Sequence, residues 1–262
     1  MMSEVITAIV DFEKHPLKSK DFRAQCKQKL DANGVLVLSK LLLPSAIQAL
    51  IEEANANEHL AYYCENNHNV YLKPENESLA CDHPRNQIVS SSKGCITDDQ
   101  VPHDSSLRAL YSATEFQNFL CAVLDEDVLY KYDDNLSSIN VHYAHEGQEL
   151  GWHFDNSSFA ITLLIQKPRL GGSFEYIRDF RDAENGDMNY DGVRALLDGK
   201  YTPDILSMEP GDLVLFRGRN SIHRVTPTEG DRMRILSVLA YNTDPGVQLS
   251  ESARMTFYGK LS

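Results

Sequence analysis

Apolar residues recur at helical spacing in Phe22, Cys26 and Leu30, and Ala32-Asn33-Gly34 supplies a stop, predicting a helix from about Lys20 to Leu30. Val35-Leu36-Val37-Leu38 reads as a short apolar strand. Pro44 and Ser45 open a second helix carrying Ile47, Leu50, Ile51 and Ala54. From Asn57 to Asp104 the chain is polar, rich in Asn and Ser, and lacks sustained periodicity. Such a run predicts a lid, a binding loop or a disordered segment. Helical spacing returns over Ser105–Tyr111 and Thr114–Leu124. The period then shortens to strands at Leu129–Tyr132, Ser138–Ala144, Leu150–Phe154, Phe159–Gln166 and Ser173–Ile177. An acidic stretch, Asp179 to Asp191, leads to a short helix near Val193–Leu197. Strands resume at Ile205–Met208, Leu213–Phe216 and Met233–Tyr241, with Pro210-Gly211-Asp212 as a turn. Helices first and many short strands afterwards predict an α+β chain, a β sandwich or barrel backed by N-terminal helices.

One stretch resists explanation as packing: Trp152-His153-Phe154-Asp155-Asn156. In an extended strand, residues i and i+2 share a face. His153 and Asp155 then project together while Trp152 and Phe154 point the other way. An imidazole beside a carboxylate is two thirds of a facial metal site, and two His with one carboxylate suit Fe(II) with open positions. His223, in Ser221-Ile222-His223-Arg224-Val225 after strand Leu213–Phe216, is the candidate third ligand; the competing reading is a surface-loop histidine. Arg234 begins an otherwise apolar strand, and a guanidinium near a core requires an anion. Its planar fork suits a carboxylate held through two bonds. Arg232, nearer the turn, competes for that part. Asn140 and Tyr143 precede His153 on a neighbouring strand, either as donors to the same ligand or as ordinary strand residues.

Composition narrows the partners. With 42% hydrophobic and 24% charged residues the chain reads as soluble and globular, and its 262 residues suit one large β domain. A formal charge of −13 repels phosphate backbones and anionic lipid, so neither nucleic acid nor membrane is an expected partner. The five cysteines form no C-x-x-C pair, which points to reduced thiols. Met-Met-Ser-Glu-Val-Ile carries no basic segment leading into an apolar one, and no run approaches the roughly 18 apolar residues of a span. The expected location is cytoplasmic; the residues are silent on oligomeric state.

His153-x-Asp155, His223 and Arg234 together resemble the facial triad and co-substrate arginine of the Fe(II)/2-oxoglutarate-dependent dioxygenases. Glu209-Pro210-Gly211-Asp212-Leu213-Val214-Leu215-Phe216 followed by His223, Gly230 and Arg234 is similar to the second metal-ligand region of that superfamily. Trp152–Asn156, Leu164-Ile165-Gln166-Lys167-Pro168, Gly171-Gly172-Ser173-Phe174-Glu175-Tyr176 and Phe216-Arg217-Gly218-Arg219 look like one branch, that of the free-amino-acid radical halogenases and lysine hydroxylases. The likeness runs from about residue 20 to the C-terminus and is strongest from about Ser137 to Gly246.

The resemblance implies a double-stranded β-helix (jelly-roll, cupin-like) core with N-terminal helices packed on its major sheet. It implies one domain over 1–262, with a mostly helical scaffold and active-site loop in 1–125 and the core in 126–262. It implies Fe(II), 2-oxoglutarate and O2, with ascorbate as a supporting reductant. The metal ligands would be His153, Asp155 and His223, and Arg234, Asn140 and Tyr143 would face the co-substrate. The implied substrate is a small free amino acid or similar metabolite, with Arg85 resembling the branch arginine that meets its carboxylate and Asn156 beside it. A solvated loop arginine and a turn cap are the competing readings of those two. Halogenases of the branch carry Gly where this chain has Asp155, because halide takes the position a carboxylate fills; Asp155 therefore implies hydroxylation. Three alternatives stand: a hydroxylase of protein side chains, a non-catalytic jelly-roll binding protein, and a zinc hydrolase, which lacks H-E-x-x-H and leaves Arg234 unexplained.

Overall fold

A computed structural model describes residues 2–262, with side chains from Val5 onward. Its helices are α1 (Met2–Thr7), α2 (Lys20–Asn33), α3 (Pro44–Asn57), α4 (Ser106–Ser112), α5 (Thr114–Leu124), α6 (Tyr190–Leu197) and α7 (Glu251–Tyr258). Ser19 caps α2 by accepting from the Phe22 amide, and Gly34 ends it at φ 69°, a conformation a side chain would strain. The strands are β1 (Val35–Leu38), β2 (Tyr62–Asn69), β3 (Ile88–Ile96), β4 (Ile139–Ala144), β5 (Leu150–His153) and β6 (Ala160–Gln166). They continue as β7 (Leu170–Gly171), β8 (Phe174–Ile177), β9 (Asp204–Leu206), β10 (Leu213–Phe216), β11 (Ile222–Val225), β12 (Thr228–Glu229) and β13 (Arg234–Leu239).

The strand order β1-β10-β6-β13-β4-β3-β5-β11-β8-β9, with β2 on β3, is a single antiparallel sheet curled over on itself. The fold-over lies where β3 meets β5 through one pair, Ser91 and Leu150. From β4 to β13 the chain passes back and forth between a major half (β10-β6-β13-β4) and a minor half (β5-β11-β8-β9), with β8 and β9 a pair in the minor half and β7 and β12 a separate two-stranded ribbon, which is a double-stranded β-helix. The major half has two unlike faces. Ile139, Val141, Tyr143, Ile161, Leu163, Leu213, Leu215 and Ile235 pack outward with α2 to α5 in the main core. Their neighbours in sequence, among them Leu164, Val214, Phe216 and Leu236, turn inward toward the minor half.

Two expectations are corrected, one competing reading falls away and one helix was not expected. The polar run 57–104 holds β2 and β3, whose eight-pair hairpin extends the sheet. Its Asn, Ser and Glu side chains alternate over a solvated face, so apolar periodicity was absent. The scaffold in 1–125 thus contributes three strands as well as helices. Leu129–Tyr132 forms only a bridge, Tyr130 with Asn242. His223 lies inside β11, not in a loop: two of that strand's four residues are polar, which hides it from an apolar-run reading. Helix α7 was unforeseen, although Ser250 caps it by accepting from the Ala253 amide.

Candidate metal centre

Register brings the ligands together. β11 lies antiparallel to β5 with His223 directly opposite His153, so two histidines far apart in sequence become cross-strand neighbours. Their rings are 4.2 Å apart between centroids. Just past β5, the Phe154 amide donates to Val70 O and the Asp155 amide to Gly218 O, keeping the chain extended. Asp155 therefore falls on the His153 face, while Trp152 and Phe154 enter a separate apolar cluster with Tyr71, Phe180 and Ile222. Asp155 Oδ1 lies 3.8 Å from His153 Nε2 and 3.6 Å from His223 Nε2. Both separations are shorter than twice a metal–ligand bond of about 2.1 Å, so one cation can touch all three.

The protonation pattern suits a cation. His153 Nδ1 is 2.8 Å from Gly151 O, and His223 Nδ1 is 3.0 Å from Ser221 O. A carbonyl only accepts, so each Nδ1 donates and each Nε2 keeps a lone pair aimed at the site. Burial, then the adjacent His223, pushes His153 down to about 3. Burial alone would raise Asp155, but His223, His153 and Arg181 outweigh it and hold the carboxyl below its usual range. Asp155 Oδ2 is buried with no hydrogen-bond partner. A carboxylate oxygen left bare in the interior is costly, and a bound cation removes that cost. The residues therefore fit a divalent metal. Gly218 makes room for this carboxylate, since a Cβ there would collide with Oδ2.

The triad opens onto a cavity of about 370 Å³ inside the curled sheet, which Arg234 also lines. Arg234 is 7% exposed, and among the described residues no carboxylate or carbonyl accepts from its guanidinium. Burial draws it down to about 10, which leaves it a cation at neutral pH. Phe174 stacks on His223 at 5.4 Å, and Phe216 meets the same ring edge-on at 4.9 Å. These rings keep water from one side of the site and strengthen its electrostatics.

The other expected residues divide by parity. Asn140 lines the cavity, yet its amide is spent: Nδ2 donates to Leu136 O and Ile139 O, and Oδ1 accepts from Tyr258. Tyr143 is one residue out of phase with the inner face. Its hydroxyl donates to Ala54 O of α3, so it is removed from the ligand-facing set. Arg232 is exposed, which leaves Arg234 as the buried arginine. Arg85 lies outside the cavity wall, near Tyr71. Its Nη2 donates to Pro74 O while Nη1 is buried without an acceptor. Asn156 is exposed, and its carbonyl accepts from Arg219. Sequence reasoning missed His142 and Lys93, both in the cavity wall. His142 shares the face of Asn140 two residues away, a period-2 signal that was legible.

The family model described as HalD, Halogenase D, matches residues 18–256. Among solved structures, the non-heme alpha ketoglutarate dependent carbocyclase SnoK from nogalamycin biosynthesis is 12% identical with a TM-score of 0.55, covering 90% of each chain. An oxidoreductase of the 2OG-Fe(II) oxygenase family from Burkholderia pseudomallei is 11% identical with a TM-score of 0.51, covering 86% of this chain and 93% of that one. A structure titled for prolyl 4-hydroxylases from Phytophthora capsici is 19% identical with a TM-score of 0.51, covering 95% of this chain and 73% of its own. At such identities these likenesses speak for a common fold. No curated protein matches the sequence.

Proposed function

The chain belongs to the Halogenase D family, and from that premise we propose that it is an Fe(II)- and 2-oxoglutarate-dependent oxygenase that hydroxylates an unactivated C–H bond of a small free amino acid or amino-acid-like metabolite. The observation that carries this reading is a pairing within one cavity: three converging metal ligands and a buried, unpartnered guanidinium. His153, Asp155 and His223 would hold the iron, their Nε2, Oδ1 and Nε2 atoms being the ones that converge. Arg234 would pair with the distal carboxylate of 2-oxoglutarate and so fix its orientation. When bound, the iron and keto acid activate O2, chemistry that no protein side chain supplies.

The chain's own residues position and shield. Gly151 O and Ser221 O hold the two imidazole tautomers, and Phe174 and Phe216 dry the His223 side. Asp155 decides the outcome of the reaction. Its carboxylate fills the position that halide needs in halogenases of the branch, so hydroxyl transfer is the assigned result despite the family's name. The cavity's volume is at the small end of ligand sites, which favours a metabolite over a polypeptide. Arg85, with its bare Nη1, lies outside the cavity wall, so as partner for the substrate carboxylate it requires a substrate that reaches past that wall; Asn156 directly follows the ligand Asp155 in sequence. Free thiols at all five cysteines suit a cytoplasmic setting. No helix is long and apolar enough to cross a membrane.

Succinate release under Fe(II), ascorbate and O2, screened across free amino acids with and without chloride, tests the proposal. The expected result is substrate-stimulated succinate with a hydroxylated product. Turnover with peptides alone, or a chlorinated product, overturns it.

A further inference from the structure

Beside Arg234 the cavity wall carries two more nitrogen-bearing side chains for which the metal and its ligands give no reason. His142 and Lys93 lie on β4 and β3, and strand register explains why they meet Arg234. Arg234 is opposite Ala144, and Leu236 is opposite His142, so His142 is the diagonal neighbour of Arg234 on the inner face. Cys95 is opposite His142, so Lys93, two residues before Cys95, shares that face on the far side of β4. Ala144, opposite Arg234, is the small residue of β4 on that face. Lys93 Nζ lies 3.2 Å from His142 Nδ1 and 3.1 Å from Nε2. An aromatic contact to Phe257, 5.8 Å away, is its other neighbour. Among the described residues neither Lys93 nor Arg234 forms an ion pair, and Asp155 is the one acidic residue in the cavity wall.

Lys93 Nζ is thus equally near both ring nitrogens and selects neither tautomer, and burial draws the ammonium down from its ordinary value. A neutral imidazole carries its proton on one nitrogen, a donor for which the described residues supply no acceptor. Burial together with the flanking Lys93 and Arg234 keeps the ring neutral. Two cations and one neutral donor in a row across three strands, with no counter-ion, form a built receptor for an anion.

Resting on the oxygenase reading above, we propose that the distal carboxylate of the keto-diacid is held by the row Arg234–His142–Lys93, with His142 donating to it and Lys93 adding charge beside it. Arg234 then does not act alone. His142 touches the co-substrate, and Lys93 is a positioning residue that acts through its charge.

Anaerobic calorimetric titration of the Fe(II)-loaded protein separates the possibilities. The two probes are 2-oxoglutarate and 2-oxopentanoate, which chelates alike but has no distal carboxylate. Lys93→Met is expected to weaken 2-oxoglutarate binding about tenfold or more, the scale of a lost charge-assisted bond, and to leave 2-oxopentanoate unchanged. His142→Phe should show the same split, and Lys93→Arg should retain most of the affinity. Equal 2-oxoglutarate affinity in wild type and Lys93→Met overturns the inference while leaving the oxygenase reading intact. An equal loss for both keto acids also overturns it, by showing a merely structural role. Failure of the wild type to bind either keto acid overturns both this inference and the proposed function.

Discussion

The two faces of the major half-sheet are built from the same strands, often from adjacent residues, and do different work. On β4 the outward residues Ile139, Val141 and Tyr143 lie in the helix-backed core, while Asn140 and His142 line the cavity. On β13 Ile235 faces the helices, whereas Arg234, Leu236 and Val238 face the cavity, and Leu239 at the strand end touches both. The outer face buries apolar surface and satisfies its one tyrosine hydroxyl on a helix carbonyl. The inner face keeps a guanidinium and an imidazole with no acceptor among the described residues, and across the cavity Asp155 Oδ2 is bare as well, a cost that a bound ligand can offset. A one-residue change of phase therefore separates stability from chemistry.

Substitutions can break this division, and their effects should fall in order. His223→Ala removes a metal ligand that the minor half presents to the inner face across the cavity, and is expected to abolish both iron binding and turnover, measured by metal content and succinate release. Normal activity would take His223 out of the site. Arg234→Met should raise the 2-oxoglutarate KM about a hundredfold, since two charge-assisted bonds are lost, while thermal unfolding changes little. An unchanged KM places the co-substrate elsewhere.

Acidification probes the inner face differently. His142 is held well below its ordinary 6.5 by burial, then Lys93 and Arg234. The unfolded chain takes up a proton as pH drops below about 6.5, and the folded ring does not. Its contribution to stability is thus present above that pH and lost as pH falls, by up to about 1.4 kcal/mol per pH unit. Denaturant titrations between pH 7 and pH 5 should show His142→Phe with a shallower slope than wild type, as flagged by about one proton in the linkage. Identical slopes would mean that His142 protonates freely in the fold. The smallest effect belongs to the outer face: Tyr143→Phe should cost about 1 kcal/mol of stability from the lost bond to Ala54 and leave the 2-oxoglutarate KM unchanged.

Legibility in the sequence followed the same division. The apolar strands and capped helices were readable because their periodicity is strong, and Leu213–Phe216 was placed with its observed bounds. His153 and Asp155 were readable as a pair because i and i+2 share a face locally. What placed His223 against them is the pairing of β11 with β5, a long-range register that no local pattern reveals. Tyr143 was assigned to the ligand with Asn140 although they are three positions apart, so the two must face opposite ways on a strand. Applying that parity would have exchanged Tyr143 for His142. Lys93 lay in a run without apolar alternation and became visible only once β3 was seen to pair with β4.

Equilibrium dialysis of Fe(II) under nitrogen, with and without 2-oxoglutarate, bears most directly on the claim that His153, Asp155 and His223 share a metal. Wild type should retain a single Fe(II) per chain and bind 2-oxoglutarate more tightly with the metal than without it, and His223→Ala should retain neither. Iron retained in full by His223→Ala, or keto-acid binding indifferent to the metal, contradicts it.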